Sequence, residues 1–242
     1  MLIDPRISII DERIRGVNKI LVVSSGKGGV GKSLLASTLA LILAKKGYRV
    51  GLFDLDFTSP SIHVILGSGG AQPTEDKGII PHIIHGLKYM SIIYYSSGRA
   101  TPLRGPDFSN AFIELFSVID WGELDFLILD TPPGIGDATL DVIRLIKGTK
   151  FLVVTTPSSL AFETVRKLVS MLQALNVPII GIVENMKTGR TSNIQQESQK
   201  LNIKFLGEIA YDPKVEETLG DVDGLLKTVF AKEVEKLLHL IE

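Results

Sequence analysis

The run Gly26-Lys27-Gly28-Gly29-Val30-Gly31-Lys32-Ser33 has the residue types and spacing to hold a chain of phosphates. Its glycines free the backbone to curl into a nest whose N–H groups face phosphate oxygens. A lysine at position 32 reaches the β- and γ-phosphates of a nucleotide, and the Ser33 hydroxyl is a ligand for Mg²⁺. Leu34 follows in the helix whose N-terminal end adds positive partial charge to the same spot. A second amine, Lys27, stands just behind the first glycine. The implied ligand is a nucleoside triphosphate with magnesium, and the implied chemistry is phosphoryl transfer.

Such a loop needs partners that hold the metal and place a water. Asp130 closes the apolar run Phe126–Leu129 and leads into Thr131-Pro132-Pro133-Gly134, the form of a magnesium-side aspartate running into a switch loop. Asp54 and Asp56 end the run Val50–Asp56 and lead into Phe57-Thr58-Ser59-Pro60, a second switch segment. Of these two, Asp56 is the better candidate to orient an attacking water, and Asp54 to support the metal shell. A bland alternative stands beside each: aspartates after strands also cap helices and shape turns. Asn185, in Val183-Glu184-Asn185-Met186, offers a donor and an acceptor to a purine edge, or caps a loop.

These residues need rigid elements behind them. Apolar Ile20–Val23 reads as a buried parallel strand before the loop, and Leu35, Leu39, Ile42 and Leu43 recur at helical spacing after it, ending at Gly47. Strands are expected near 19–24, 50–55, 88–94, 125–130, 150–155, 178–184 and 204–209. Helices are expected near 32–46, 60–66, 108–119, 138–147, 160–175, 192–201, 213–219 and 225–241. That alternation predicts an α/β fold, a doubly wound and mostly parallel sheet with helices on both faces. Residues 1–18 read as a short helical arm, 67–86 as an irregular surface loop, and the whole as a single domain of 242 residues.

Composition narrows the function. Net charge is −1, from 26 basic and 27 acidic residues, which favours neither nucleic acid nor an anionic membrane. There are no cysteines, so disulfides, thiolate metal sites and cysteine-ligated clusters are excluded for this chain. The first residues lack a basic stretch followed by an apolar one, and no apolar run is long enough to span a bilayer, so a cytoplasmic protein is expected.

The extra lysine in Gly26–Ser33 resembles the deviant Walker A loop of the MinD/ParA/Mrp ATPases. Asp54-Leu-Asp-Phe-Thr-Ser-Pro-Ser61, Arg104-Gly-Pro106, Asp120–Asp125, Asp130–Asp137 and Val183–Met186 resemble the Mrp (ApbC-type) branch. The resemblance covers most of 19–210 and implies a P-loop NTPase of the SIMIBI type, homodimeric and ATP-hydrolysing. It implies that Lys27 crosses to the partner's nucleotide, and that Lys27, Lys32 and Asp56 serve catalysis. It makes Asp130 the Walker B aspartate and Asn185 the reader of adenine, with ATP and Mg²⁺ as ligands. Iron–sulfur carriers of that branch have a Cys-x-x-Cys pair soon after Glu-Asn-Met, where this chain reads Lys187-Thr-Gly-Arg-Thr-Ser-Asn193. The cysteine-free form, with Thr101–Gly105 and Leu140–Arg144, is similar to archaeal HypB-like ATPases that aid nickel insertion into hydrogenase with a HypA-type chaperone. The resulting expectation is an ATPase for metallocentre assembly through a partner, nickel first, iron–sulfur second and a MinD-like spatial regulator third.

Lesser signals carry expectations too. His82 and His85 could bind nickel or zinc, but two histidines without a third ligand read as ordinary loop residues. Leu226, Phe230, Leu237 and Ile241 share a face of the last helix, whose charges are balanced, so packing on the sheet is expected rather than membrane binding. Arg104 could hold an anion or form an ordinary salt bridge. Phe108, Phe112, Leu115 and Phe116 read as core rather than a docking groove.

Overall fold

Consecutive apolar residues bounded by turns form the body of one sheet. The computed structural model describes residues 4–69, 72–94, 106–189 and 192–241, with backbone alone for 106–108. Its strands are β1 (Val17–Ser25), β2 (Val50–Asp54), β3 (Thr74–Glu75), β4 (Ile79–Ile80), β5 (His82–Ile84), β6 (Leu87–Ser91), β7 (Leu124–Asp130), β8 (Thr149–Thr155), β9 (Ile179–Lys187) and β10 (Phe205–Ala210). Its helices are α1 (Arg6–Arg13), α2 (Lys32–Lys45), α3 (Ile62–Leu66), α4 (Pro106–Val118), α5 (Asp137–Leu145), α6 (Ser159–Ala174), α7 (Ile194–Lys200), α8 (Lys214–Glu217), α9 (Val222–Leu225) and α10 (Val229–Leu237).

The main sheet runs β10-β9-β8-β1-β7-β2-β6-β5. Every neighbouring pair is parallel except β5 with β6. The chain leaves β1 toward β2 on one side and reaches β8 on the other, so the loop after β1 lies at the point where the winding reverses. Ligands in open α/β sheets bind at that crevice. Alternation along β1 explains the double cover: Val22 joins the core under α1, α4, α5 and α6, and Val23 joins the core under α2, α3 and α10.

Two segments differ from expectation. The stretch 67–86 carries β3, β4 and β5 rather than one irregular loop. β5 turns into β6 through His85 (φ 48°) and Gly86 (φ 81°), the two positive angles of a type I′ hairpin turn. The last helix does not begin at Leu225: α9 ends there, and Thr228 starts α10 by accepting the Ala231 N–H on its hydroxyl at 3.1 Å. Phe230, Val234 and Leu237 of α10 are buried in the core with α2. At about 1.5–3 kcal/mol for each such side chain, exposing that face to a lipid surface would cost the fold dearly. No helix among the described residues is long and apolar enough to cross a membrane.

The Asp120–Asp125 segment is architecture rather than chemistry. Trp121 is fully buried with its ring 5.6 Å from that of Phe53. Asp125 binds Arg49 at the start of β2, whose guanidinium holds that carboxyl below the usual range. Phe112, Leu115 and Phe116 are core, while the side chain of Phe108 and all of Thr101–Gly105, including Arg104, lie outside the described residues.

Candidate functional site

β1 is pinned between β7 and β8, so its end at Ser25 is a fixed launching point for the glycine loop. Gly26 passes so close to α6 that a Cβ would lie 2.3 Å from Thr164 Oγ1 and 2.6 Å from its carbonyl carbon. Gly31 takes φ 80° and turns the chain into α2. Above the loop opens a cleft of about 610 Å³ with Lys27, Lys32, Ser33, Asp56, Ser59 and Pro133 among its walls. Gly28, Gly29, Val30 and Leu34 line the same cleft. The Lys27 ammonium has no ion-pair partner among the described residues.

Charge is concentrated below the loop. Lys32 Nζ donates to Asp130 Oδ1 at 2.6 Å and to Ser33 Oγ at 3.3 Å. The lysine is 7% exposed and the aspartate 0%. Asp54 and Asp130 are register partners on β2 and β7, two buried carboxylates side by side. Burial first, and the neighbouring Asp130 charge second, push the Asp54 carboxyl up to about 7. Burial pushes Asp130 up as well, against the pull of Lys32. Oδ2 of Asp130 is buried with no hydrogen-bond partner. An orphaned carboxylate oxygen beside Ser33 suits a hydrated Mg²⁺, whose shell waters would satisfy it, so the residues present fit the metal.

The two candidate switch segments are tied down differently. Asp54 accepts Asp56 N–H on Oδ1 (3.1 Å) and Ser61 and Ile62 N–H on Oδ2 (3.1 and 3.2 Å). It therefore shapes the loop into α3 from beneath rather than lining the cleft. Asp56 does line it, and its Oδ1 accepts Thr58 N–H, Thr58 Oγ1–H and Ser59 N–H at 3.1, 2.7 and 3.0 Å. The segment after Asp130 is stitched to β1: Thr131 Oγ1 donates to Val23 O (3.2 Å), and Gly134 N–H donates to Ser25 O (2.7 Å). Pro132 is half-buried and Pro133 sits over Gly28, 3.8 Å from where a Cβ would be.

Asn185 is brought to the loop, 2% exposed, at the edge of a second cavity of about 120 Å³ that Leu34, Met186, Tyr211 and Pro213 also line. Sequence reasoning missed Tyr211 and Pro213. It also missed the apolar wall of Val64, Ile65, Val215 and Leu219 in the larger cleft. Tyr211-Asp-Pro213 directly after a strand was the available signal, since a strand end followed by proline marks a loop over a crevice. The histidines are not brought to the site. His85 Nε2 bonds the Leu66 carbonyl at 2.9 Å, and no cluster of three metal-ligating side chains occurs among the described residues. Where carriers of the branch resembled above have cysteines, Lys187 lies between Glu184 (3.5 Å) and Glu208 (3.0 Å), and Ser192 Oγ donates to Glu184 Oε2 at 2.7 Å.

A family model described as ParA, the NUBPL iron-transfer P-loop NTPase, matches residues 16–241. An iron–sulfur cluster carrier protein of Aquifex aeolicus is 38% identical over 222 residues, 85% of this chain and 61% of its own length. The chain thus spans under two thirds of that relative. An iron–sulfur cluster carrier protein of Saccharolobus solfataricus is 36% identical over 96% of this chain and 87% of its own. A nucleotide-binding protein of Archaeoglobus fulgidus, solved in complex with ADP and with cobalt found in it, superposes with a TM-score of 0.77 at 32% identity, covering 91% of this chain and 93% of that one.

Proposed function

Since this chain belongs to the ParA/MinD/Mrp-type P-loop NTPases, within the NUBPL-like iron-transfer family, we propose that it is a Mg²⁺-dependent ATPase that serves the assembly of iron–sulfur centres on other proteins. The observation that carries the nucleotide half is the buried Lys32–Asp130 pair beneath the glycine loop, with Oδ2 of Asp130 unpaired. ATP would supply the γ-phosphoryl group that passes to water, and Mg²⁺, when bound, would supply neutralisation of the phosphate charge. The amides of Gly28 to Ser33 cradle the phosphates, and Lys32 reaches the β- and γ-oxygens. Ser33 Oγ and Asp130 hold the metal, Asp54 fixes the loop that presents Asp56, and Asp56 orients the water. Lys27, the second amine, extends to the nucleotide of a second copy, so that ATP closes a homodimer.

Support for the iron–sulfur half comes from relatives named iron–sulfur cluster carrier proteins, whereas nickel and a HypA-type partner have no such support. With no cysteine, this chain supplies no thiolate. In this reading a client's or partner's thiolates hold the cluster, and the ATPase opens and closes around that protein. The inward face of α10 argues against a MinD-like membrane device. The test is anaerobic transfer of a [4Fe–4S] cluster from a loaded scaffold protein to an apo-enzyme, read by recovered activity. ATP with this chain should speed recovery, and the Lys32→Ala variant should not. Equal recovery with and without ATP would refute the assignment.

A further inference from the structure

Asn185 and Met186, at the end of β9, grip the phosphate loop from the side of the smaller cavity. Asn185 Nδ2 donates to the Val30 carbonyl at 2.9 Å in a buried setting. The same amide fills the space over Gly31, where a Cβ would lie 2.3 Å from Nδ2 and 3.4 Å from Met186 Cε. Met186 has φ 60°, a conformation unfavourable for a residue with a Cβ, and one that persists only where surroundings enforce it. Side-chain alternation on β9 sends Val183 and Asn185 to the α2 face, so the register of β9 against β8 decides where this amide meets the loop.

We propose that Asn185 is a positioning residue of the phosphate loop: it fixes the Val30–Gly31 peptide so that the loop amides and the Lys32 amine converge on one point. The base end of the cleft and its phosphate end are thereby one mechanical unit. This rests on the phosphate-loop reading above. A residue that only reads a base changes the choice of nucleotide and leaves the grip on a bare phosphate tail untouched. A positioning residue weakens both.

The test uses inorganic tripolyphosphate with Mg²⁺, which has no base, alongside ATP and GTP, by titration calorimetry on the full chain. Asn185→Leu keeps the volume without the donor, and Asn185→Ala carries the same comparison if the leucine variant does not fold. Tripolyphosphate binding should weaken about tenfold or more in either variant. Amide exchange at Gly31 and Lys32 should quicken while exchange in β7 and β8 stays unchanged, an outcome that general loss of structure would not give. Variants that bind tripolyphosphate as tightly as the wild type, with only the ATP-to-GTP preference altered, would overturn the positioning role and leave the phosphate loop standing. A wild-type protein that binds neither ATP nor tripolyphosphate would overturn both.

Discussion

Replacing Asp54 by asparagine should remove a pH dependence from the protein's stability. Asp54 is 1% exposed, beside the equally buried Asp130, and its carboxyl is raised from 3.8 to about 7. Below 3.8 the group is neutral whether the chain is folded or not, and its burial costs little. Above about 7 the folded protein must carry the charge, so stability falls as pH rises through that window. Between pH 5 and about pH 7 the folded form keeps a proton that the unfolded chain has already lost, so stability falls across roughly two pH units at about 1.36 kcal/mol each, or about 3 kcal/mol, and levels off above that. Asparagine carries no charge at any pH. It also loses a carboxylate acceptor for the Ser61 and Ile62 amides, but that cost does not vary with pH. Urea unfolding of both proteins at pH 5, 6, 7 and 8 gives the comparison. The wild type should lose about 3 kcal/mol relative to Asp54→Asn on going from pH 5 to pH 8. A stability difference that stays flat over this range would refute the reasoning, because it would mean Asp54 is already ionised at pH 5.

Other perturbations separate binding from turnover and from assembly. Lys32→Ala should abolish nucleotide affinity, whereas Asp56→Ala should keep ATP binding and stop hydrolysis; normal steady-state phosphate release from the Asp56 variant would defeat that division. Lys27→Ala should uncouple ATP from dimer formation, and sedimentation showing an unchanged ATP-dependent dimer would count against its reach across an interface. Gly26→Ala should lower stability by about 1–3 kcal/mol, since its Cβ overlaps the backbone of Thr164 as well as its hydroxyl. Thermal melting at the wild-type midpoint would show that α6 yields there.

The phosphate loop and the sheet were legible in the sequence for definite physical reasons. A nucleotide tail demands glycines and a lysine at fixed spacing, and strands covered on both faces must be apolar at every position, as Phe126–Leu129 are. β5 was hidden because three residues are too few to show a period. The split before α10 was hidden because apolar spacing ran past Thr228, whose capping role shows only once its hydroxyl meets the Ala231 amide. Asp54 could be placed near the metal from its position after a strand. That both of its oxygens face backbone amides depends on how the chain returns over it, which spacing does not encode.

The rims of the sheet carry a consequence for how copies of this chain meet. One rim is β5, three residues long and reversed in direction. The other is β10, which slips register twice against β9 and shows an exposed Glu208. Neither offers the long, flat, uncharged ladder on which a stranger's strand could extend itself. Chance stacking of one molecule onto the next is therefore discouraged at both borders, and crowding should leave the protein free of fibres.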